Sequence, residues 1–152
     1  MTPADGKVLD IKDLEDGNNP LGEPAVKLSI FMSIFNVHVN RVPVGGRISE
    51  ISYHPGKFFS ANRDKASELN EHNRVTVQTG DGRKIVFVQI AGLIARRIVC
   101  WIKEGDEVGA GQRFGLIRFG SRLDIYLPKD SRIIVQTRLK VKAGETILGY
   151  LT

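Results

Sequence analysis

The chain has one cysteine, Cys100, in 152 residues. No intramolecular disulfide can form, and this usage suits a reducing compartment. Histidine is scarce as well. His38, His54 and His72 lie far apart, with none of the short spacings that mark metal sites, so no metal centre is expected. Aromatic residues make up only 7%, and no recognisable nucleic-acid signature accompanies them. Long apolar runs are missing too. The longest stretch without a charged residue is Leu28–Asn40, too short and too polar for a membrane helix of about 20 residues. The opening MTPADGKVLD is polar and lacks the apolar core of a signal peptide.

What is present is an ordinary soluble mix, 41% hydrophobic and 26% charged. That argues against disorder and for one domain over residues 1–152, large enough to close a core. The net charge of +5 is uneven, since residues 1–80 carry 9 Lys/Arg against 10 Asp/Glu and residues 81–152 carry 13 against 7. A basic half suits an anionic partner such as nucleic acid, a phosphate-bearing substrate or an anionic membrane surface; it suits a merely solvated face equally.

Gly and Pro recur at short intervals with β-branched residues between them, the pattern of a sandwich or barrel of short strands. Strands are expected at Gly6–Ile11, Val26–Phe31, Gly46–Tyr53, Val75–Gln78, Lys84–Ile90, Ile98–Trp101, Arg113–Phe119, Leu123–Leu127, Ile133–Val135 and Thr146–Tyr150. Thr79–Gly82 (TGDG) reads as a hairpin turn. Asp13–Pro24 reads as a surface loop, and Arg63–Asn73 as a polar connection or short helix. Lys103–Leu116 (KEGDEVGAGQRFGL) and Val141–Leu151 (VKAGETILGYL) echo each other. Their turn-and-hairpin pattern resembles lipoyl and biotinyl carrier domains. The expected fold is therefore mainly β, a flattened sandwich or barrel-like form with lipoyl-type hairpins and little helix. Neither echo carries the modifiable lysine of such carriers, which speaks against a swinging-arm function.

Individual residues first invite plain readings. Cys100 sits between Val99 and Trp101 in an apolar strand, as a buried inert thiol would. His54 and His72 read as surface residues of a turn and a polar loop. His38 lies in an alternating stretch, Phe35–Val42 (FNVHVNRV), as on a strand with one face in a site. Gly120-Ser121 lies between two strand patterns and, taken alone, makes a good two-residue hairpin turn.

Several separate segments, in order, change that last reading. Phe119–Asp124 (FGSRLD), preceded by ARRIVCWIKEGDEVGAGQRFGLIR, resembles the self-processing segment of short-form phosphatidylserine decarboxylases. Pro3–Gly6 (PADG), Ser29–Arg41 (SIFMSIFNVHVNR), Tyr53–Phe58 (YHPGKF), Asp64–Asn73 (DKASELNEHN) and Gln89–Arg97 (QIAGLIARR) extend the resemblance along nearly the whole chain. The resemblance implies a proenzyme that cuts itself between Gly120 and Ser121, giving a larger chain, residues 1–120, and a smaller one, residues 121–152. The Ser121 hydroxyl would attack the Gly120 carbonyl and move the acyl group from nitrogen to oxygen. Elimination and loss of ammonia would then leave a pyruvoyl group, the covalent cofactor, on the smaller chain. As an electron sink, it would decarboxylate phosphatidylserine to phosphatidylethanolamine through a Schiff base, with no metal.

The resemblance further implies that His38 and Asp5 flank the pyruvoyl, His38 as base in cleavage and acid in turnover, Asp5 orienting it. Long-form relatives carry two histidines three residues apart where this chain has His38 and Arg41, so His38 is given both tasks here. Arg41, Arg96 and Arg97 are candidates for the lipid phosphate or substrate carboxylate, surface ion pairs being their plain alternative. The implied partners are a phospholipid with a serine head, a membrane surface and the two cleaved chains themselves, with room for a homo-oligomer and none for nucleic acid. The expected location is the cytoplasmic face of the membrane, peripheral or anchored by a segment ahead of PADG that this sequence does not contain. An archaetidylserine decarboxylase is the nearest alternative, and a non-catalytic basic binding module is the alternative from another class.

Overall fold

The computed structural model describes residues 1–4, 6–32, 39–56, 70–92, 98–117, 121–143 and 146–151. Runs of β-branched residues become strands, and among the described residues there is no helix. The strands are β1 (Gly6–Leu14), β2 (Ala25–Met32), β3 (Val39–Arg41), β4 (Gly46–His54), β5 (His72–Gln78), β6 (Lys84–Ile90) and β7 (Ile98–Cys100). After them come β8 (Glu107–Val108), β9 (Arg113–Ile117), β10 (Ser121–Pro128), β11 (Arg132–Ile133), β12 (Lys140–Val141) and β13 (Gly149–Tyr150).

One large sheet runs β12-β1-β2-β10-β6-β5-β4-β8 and curls into a half-barrel. A three-stranded sheet, β3-β9-β7, and a two-stranded one, β11-β13, complete the architecture. The main core lies on the inner face of the large sheet. There Val8, Leu28, Ile30, Val75, Phe87, Leu123 and Ile125 meet Phe114 and Ile117 of β9, with Val135 and Leu148 from the C-terminal part. Phe87 and Phe114 pack edge to face, their ring centroids 4.8 Å apart.

β6 is buried on both faces. Ile85 and Phe87 belong to the inner core, while Val86, Val88 and Ile90 join Tyr126 in a second cluster on the outer face. Leu14 and Leu21 pack onto that second cluster, so the 13–24 loop covers the outer face. It is held by Asn19, whose side-chain amide donates to the Asp16 and Glu23 carbonyls at 3.1 and 2.8 Å.

The expected mainly-β fold is the one observed, with differences at strand ends. TGDG is a hairpin turn between β5 and β6, with Gly82 at φ +88°. β5 begins at His72, because His72 and Asn73, though polar, are buried on the sheet. His72 is therefore a strand residue and not part of a polar loop. Gly120 lies outside the described residues, and β9 and β10, on either side of it, are not paired as a hairpin. β9 pairs with β3 and β7, whereas β10 pairs with β2 and β6, so the chain passes between two sheets at that point. Of the polar connection Arg63–Asn73, residues 63–69 lie outside the described residues.

Phe87 is fully buried and anchors the contact between the two larger sheets. Phe87→Ala should therefore cost about 3–5 kcal/mol, read as a lower urea midpoint at unchanged slope.

Candidate active site

Ser121 is the first residue of β10 and has no solvent exposure. Alternation along β10 puts Ser121 on the same face as Leu123 and Ile125, toward the inner core. Its Oγ lies 4.0 Å from Met32 Sδ, and Met32 is also its register partner at the end of β2. Among the described residues the β2–β10 ladder starts at the Ser121–Met32 pair.

Three connections cross between the large and the three-stranded sheet here. β2 leads to β3 through residues 33–38, β6 to β7 through residues 91–97, and β9 to β10 through residues 118–120. Their ends are neighbours on both sides. In the large sheet Met32 pairs with Ser121 and Ile90 with Arg122; in the small one Val39 pairs with Leu116 and Ile98 with Ile117. His38, Arg96, Arg97 and Gly120 themselves lie outside the described residues, as does Asp5. The residues flanking them converge on the start of β10. Pro3 joins them, because its carbonyl accepts from the Arg41 amide at 2.7 Å.

Arg41 is on β3, and its Nη1 donates to the Gly111 carbonyl at 2.8 Å. That bond ties the 109–112 turn to β3. Cys100 is half-buried, and burial pushes its thiol pKa up, as suits an inert thiol. An apolar cavity of about 270 Å³, lined by Val44, Ile85, Leu127 and Leu148 among others, lies toward the far end of β10 and not at Ser121. Among the described residues no group of His, Cys, Asp and Glu is arranged to hold a metal.

Sequence reasoning missed two features beside Ser121. The first is a buried amide chain on the inner face. Asn73 Nδ2 donates to Gln89 Oε1 at 3.0 Å, and Gln89 Nε2 donates to Asn40 Oδ1 at 3.1 Å. Asn40 Nδ2 in turn contacts Met32 Sδ at 3.4 Å, the sulfur that Ser121 also meets. The chain links β5, β6, β3 and β2 around the crossing point. Its signal in the sequence is the lone Gln89 in an otherwise apolar run. The second feature lies directly behind the nucleophile, on the outer face. Arg122 grips Asp124 through Nε at 3.0 Å and Nη2 at 3.3 Å, and Lys27 Nζ lies 3.6 Å from the same carboxylate. Both Arg122 and Asp124 are buried, so the start of β10 is tied in place from behind.

A buried serine stands at the head of a doubly paired strand in a mainly-β fold, beside the anchored ends of three connections. The profile of the phosphatidylserine decarboxylase family matches residues 1–149. The chain is 58% identical over 149 residues to a phosphatidylserine decarboxylase proenzyme of Syntrophus aciditrophicus, covering 98% of this chain and 70% of that protein. It is 52% identical to proteins of the same name from Desulfotalea psychrophila, covering 99% and 70%, and from Rickettsia africae, covering 98% and 65%. The chain belongs to the phosphatidylserine decarboxylase family, a family of carboxy-lyases.

The amide chain generates a direct test. Gln89→Leu strands Asn73 Nδ2 and Asn40 Oδ1 in the core, at about 1–3 kcal/mol for each unsatisfied group. Urea unfolding should show that loss, while Gln136→Leu at an exposed position should stay within about 0.5 kcal/mol of the parent.

Proposed function

We propose that this chain is a proenzyme that cuts itself between Gly120 and Ser121 and then decarboxylates phosphatidylserine to phosphatidylethanolamine. The observation that carries the reading is the place of Ser121, fully buried at the first described position of β10 and paired with Met32 of β2. A serine so placed fits conversion to a pyruvoyl group. The pairs from Ser121 onward do not depend on its amide bond to Gly120, and the residue stays enclosed by Met32 and the core. The pyruvoyl group supplies the electron sink that lets the substrate carboxylate leave as carbon dioxide.

The protein's own residues do the rest. The Ser121 hydroxyl attacks the Gly120 carbonyl carbon, its proton passes to a base, and the acyl group moves from nitrogen to oxygen. The nitrogen of Ser121 takes a proton as its bond to Gly120 breaks. Elimination then frees the Gly120 carboxylate. Hydrolysis of the resulting enamine releases ammonia. In this reading His38 is the base and later the proton donor, and Asp5 orients it. Arg96 and Arg97 serve the phosphate or carboxylate of the substrate. Arg41 lends its charge while holding the 109–112 turn. A dry setting strengthens each of these polar contacts, because Ser121 is shielded from bulk water.

The two pieces would stay together after cleavage. β10 keeps β2 on one edge and β6 on the other, and β12 keeps β1. Among the described residues no helix is long and apolar enough to cross a membrane. The reading places the protein at the cytoplasmic membrane face, where its phospholipid substrate lies.

A denaturing gel of purified protein should show residues 1–120 and 121–152 as separate bands, whereas native gel filtration should show one co-eluting species. The small piece should resist Edman degradation, since its amino terminus has become a ketone. Only an intact chain after long incubation at neutral pH would overturn the reading. Ser121→Ala should abolish cleavage and decarboxylation together, with the fold retained. In assays against ester-linked phosphatidylserine and its ether-linked archaeal counterpart, turnover of the first is the expected result.

His38→Ala should lose both cleavage and turnover if one imidazole serves both. General acid–base help is worth about 10²–10⁴-fold, so the loss would be plain in either assay. Normal rates in both would remove His38 from the site.

A further inference from the structure

The outer face of the large sheet carries a groove that the reaction at Ser121 does not use. Its volume is about 570 Å³, and Lys12, Lys27, His54, His72, Arg74 and Tyr126 line it together with the 13–24 loop. It is separated from Ser121 by the sheet itself. Ser121, Leu123 and Ile125 face the inner core, whereas Tyr126 faces the outer cluster.

Its charge is built from strands distant in sequence. Lys12 comes from β1, Lys27 from β2, His54 from β4, and His72 and Arg74 from β5, with the buried Arg122 of β10 behind Lys27. Carboxylates near these groups include Asp10 beside Lys12, Asp124 between Lys27 and Arg122, and Glu50 near His54. The loop adds Glu15, paired with Lys129, and Asp16, which accepts from the Asn18 amide.

Two details point to an anionic ligand. Arg74 Nε is buried and has no hydrogen-bond partner, an arrangement that costs free energy unless an acceptor arrives. The His54 and His72 rings stack with centroids 4.6 Å apart. His72 is held there by donating from Nδ1 to the Asn70 carbonyl at 2.7 Å, and His54 Nε2 lies 2.8 Å from Ser52 Oγ. Burial, then the neighbouring His72 and Arg74, push the His54 pKa down, against a smaller pull upward from Glu50. Two stacked imidazoles beside an unsatisfied guanidinium suit an oxyanion that bridges them.

We propose that this groove is a second binding site, for a phosphate group, lined by Arg74, Lys12, Lys27 and the stacked His54–His72 pair. The phosphate can belong to a small soluble phosphorylated molecule or to the headgroup of an anionic lipid; the chemistry at the groove is the same. This inference is independent of self-cleavage, because none of its residues faces Ser121.

The test titrates inorganic phosphate into the full chain while NMR follows the ring resonances of His54 and His72. A saturable shift of both rings is expected, with the titration midpoint of His54 moving up as phosphate binds. Arg74→Met should weaken binding by about tenfold, the worth of one charge-assisted hydrogen bond. Lys12→Met, at a half-exposed position where folding is not at risk, should weaken it by a smaller factor. Thermal melts confirm that both variants are folded.

Phosphatidylcholine vesicles with and without phosphatidic acid separate the two sources. Co-sedimentation that requires phosphatidic acid and falls in Arg74→Met assigns a lipid headgroup. Phosphate binding without co-sedimentation assigns a soluble ligand. The absence of any saturable shift at His54 and His72, or an unchanged affinity in both variants, overturns the proposal.

Discussion

Strand β10 is hydrogen-bonded along both edges, to β2 over Ser121–Pro128 and to β6 over Arg122–Tyr126, and it is buried on both faces over most of its length. The rest of the structure depends on that double clamp. A chain cut immediately before a strand, as proposed for this one, must hold the strand by something other than covalent continuity. Here the ladder bonds, the buried Leu123 and Ile125, and the Arg122–Asp124–Lys27 group would do so. Each fully buried aliphatic side chain contributes about 1.5–3 kcal/mol. Removing one member of the buried ionic group would leave the others uncompensated. Central placement would therefore reconcile a broken backbone with an intact fold.

The same placement explains how residues scattered from PADG to FGSRLD share one locality. Two sheets that face each other must be joined by connections, and three of the connections are anchored at adjacent register positions. A single connection would define only one neighbour for Ser121. Three of them, with Pro3 tied to Arg41, bring four separate parts of the chain to the start of β10. The amide chain from Asn73 through Gln89 to Asn40 then cross-links the strands that carry these connections. Its members are buried and mutually satisfied, which fixes the relative placement of the strands more sharply than apolar contact does.

Much of the fold was legible because periodicity records burial. β6 was expected at Lys84–Ile90 and is found there, since both of its faces are apolar and its ends are marked by TGDG and by Ala91. Where a buried position is polar, the same reasoning shortens the strand. β5 was placed from Val75 and starts at His72; β10 was placed from Leu123 and starts at Ser121. In both cases the missing residues are polar, and His72, Asn73, Ser121 and Arg122 are buried in surroundings that only the tertiary structure supplies. The Gly-Ser pair had all the local chemistry of a hairpin, and local chemistry does not say that the next strand belongs to another sheet. The family was legible through its order of motifs, whereas Asp5, His38, Arg96 and Arg97 lie outside the described residues. The outer groove was not, because its cations come from four strands and no two neighbouring motifs announce it.

Alternation along β10 separates two chemistries by a single residue. Ser121 faces the core and Met32, whereas Arg122 faces Asp124 and Lys27 on the other side. A slip of one residue in the ladder would turn the hydroxyl outward and drive a guanidinium into the core, which a two-residue period makes unavoidable. The register must therefore be specified from both faces. On the inner face Leu123 and Ile125 have no other place to be buried. On the outer face Lys27 of β2 reaches Asp124, and with it Arg122, only when that pair projects outward. Arg122 and Asp124 are thus part of the reason that Ser121 faces inward, although neither lies on its side of the sheet.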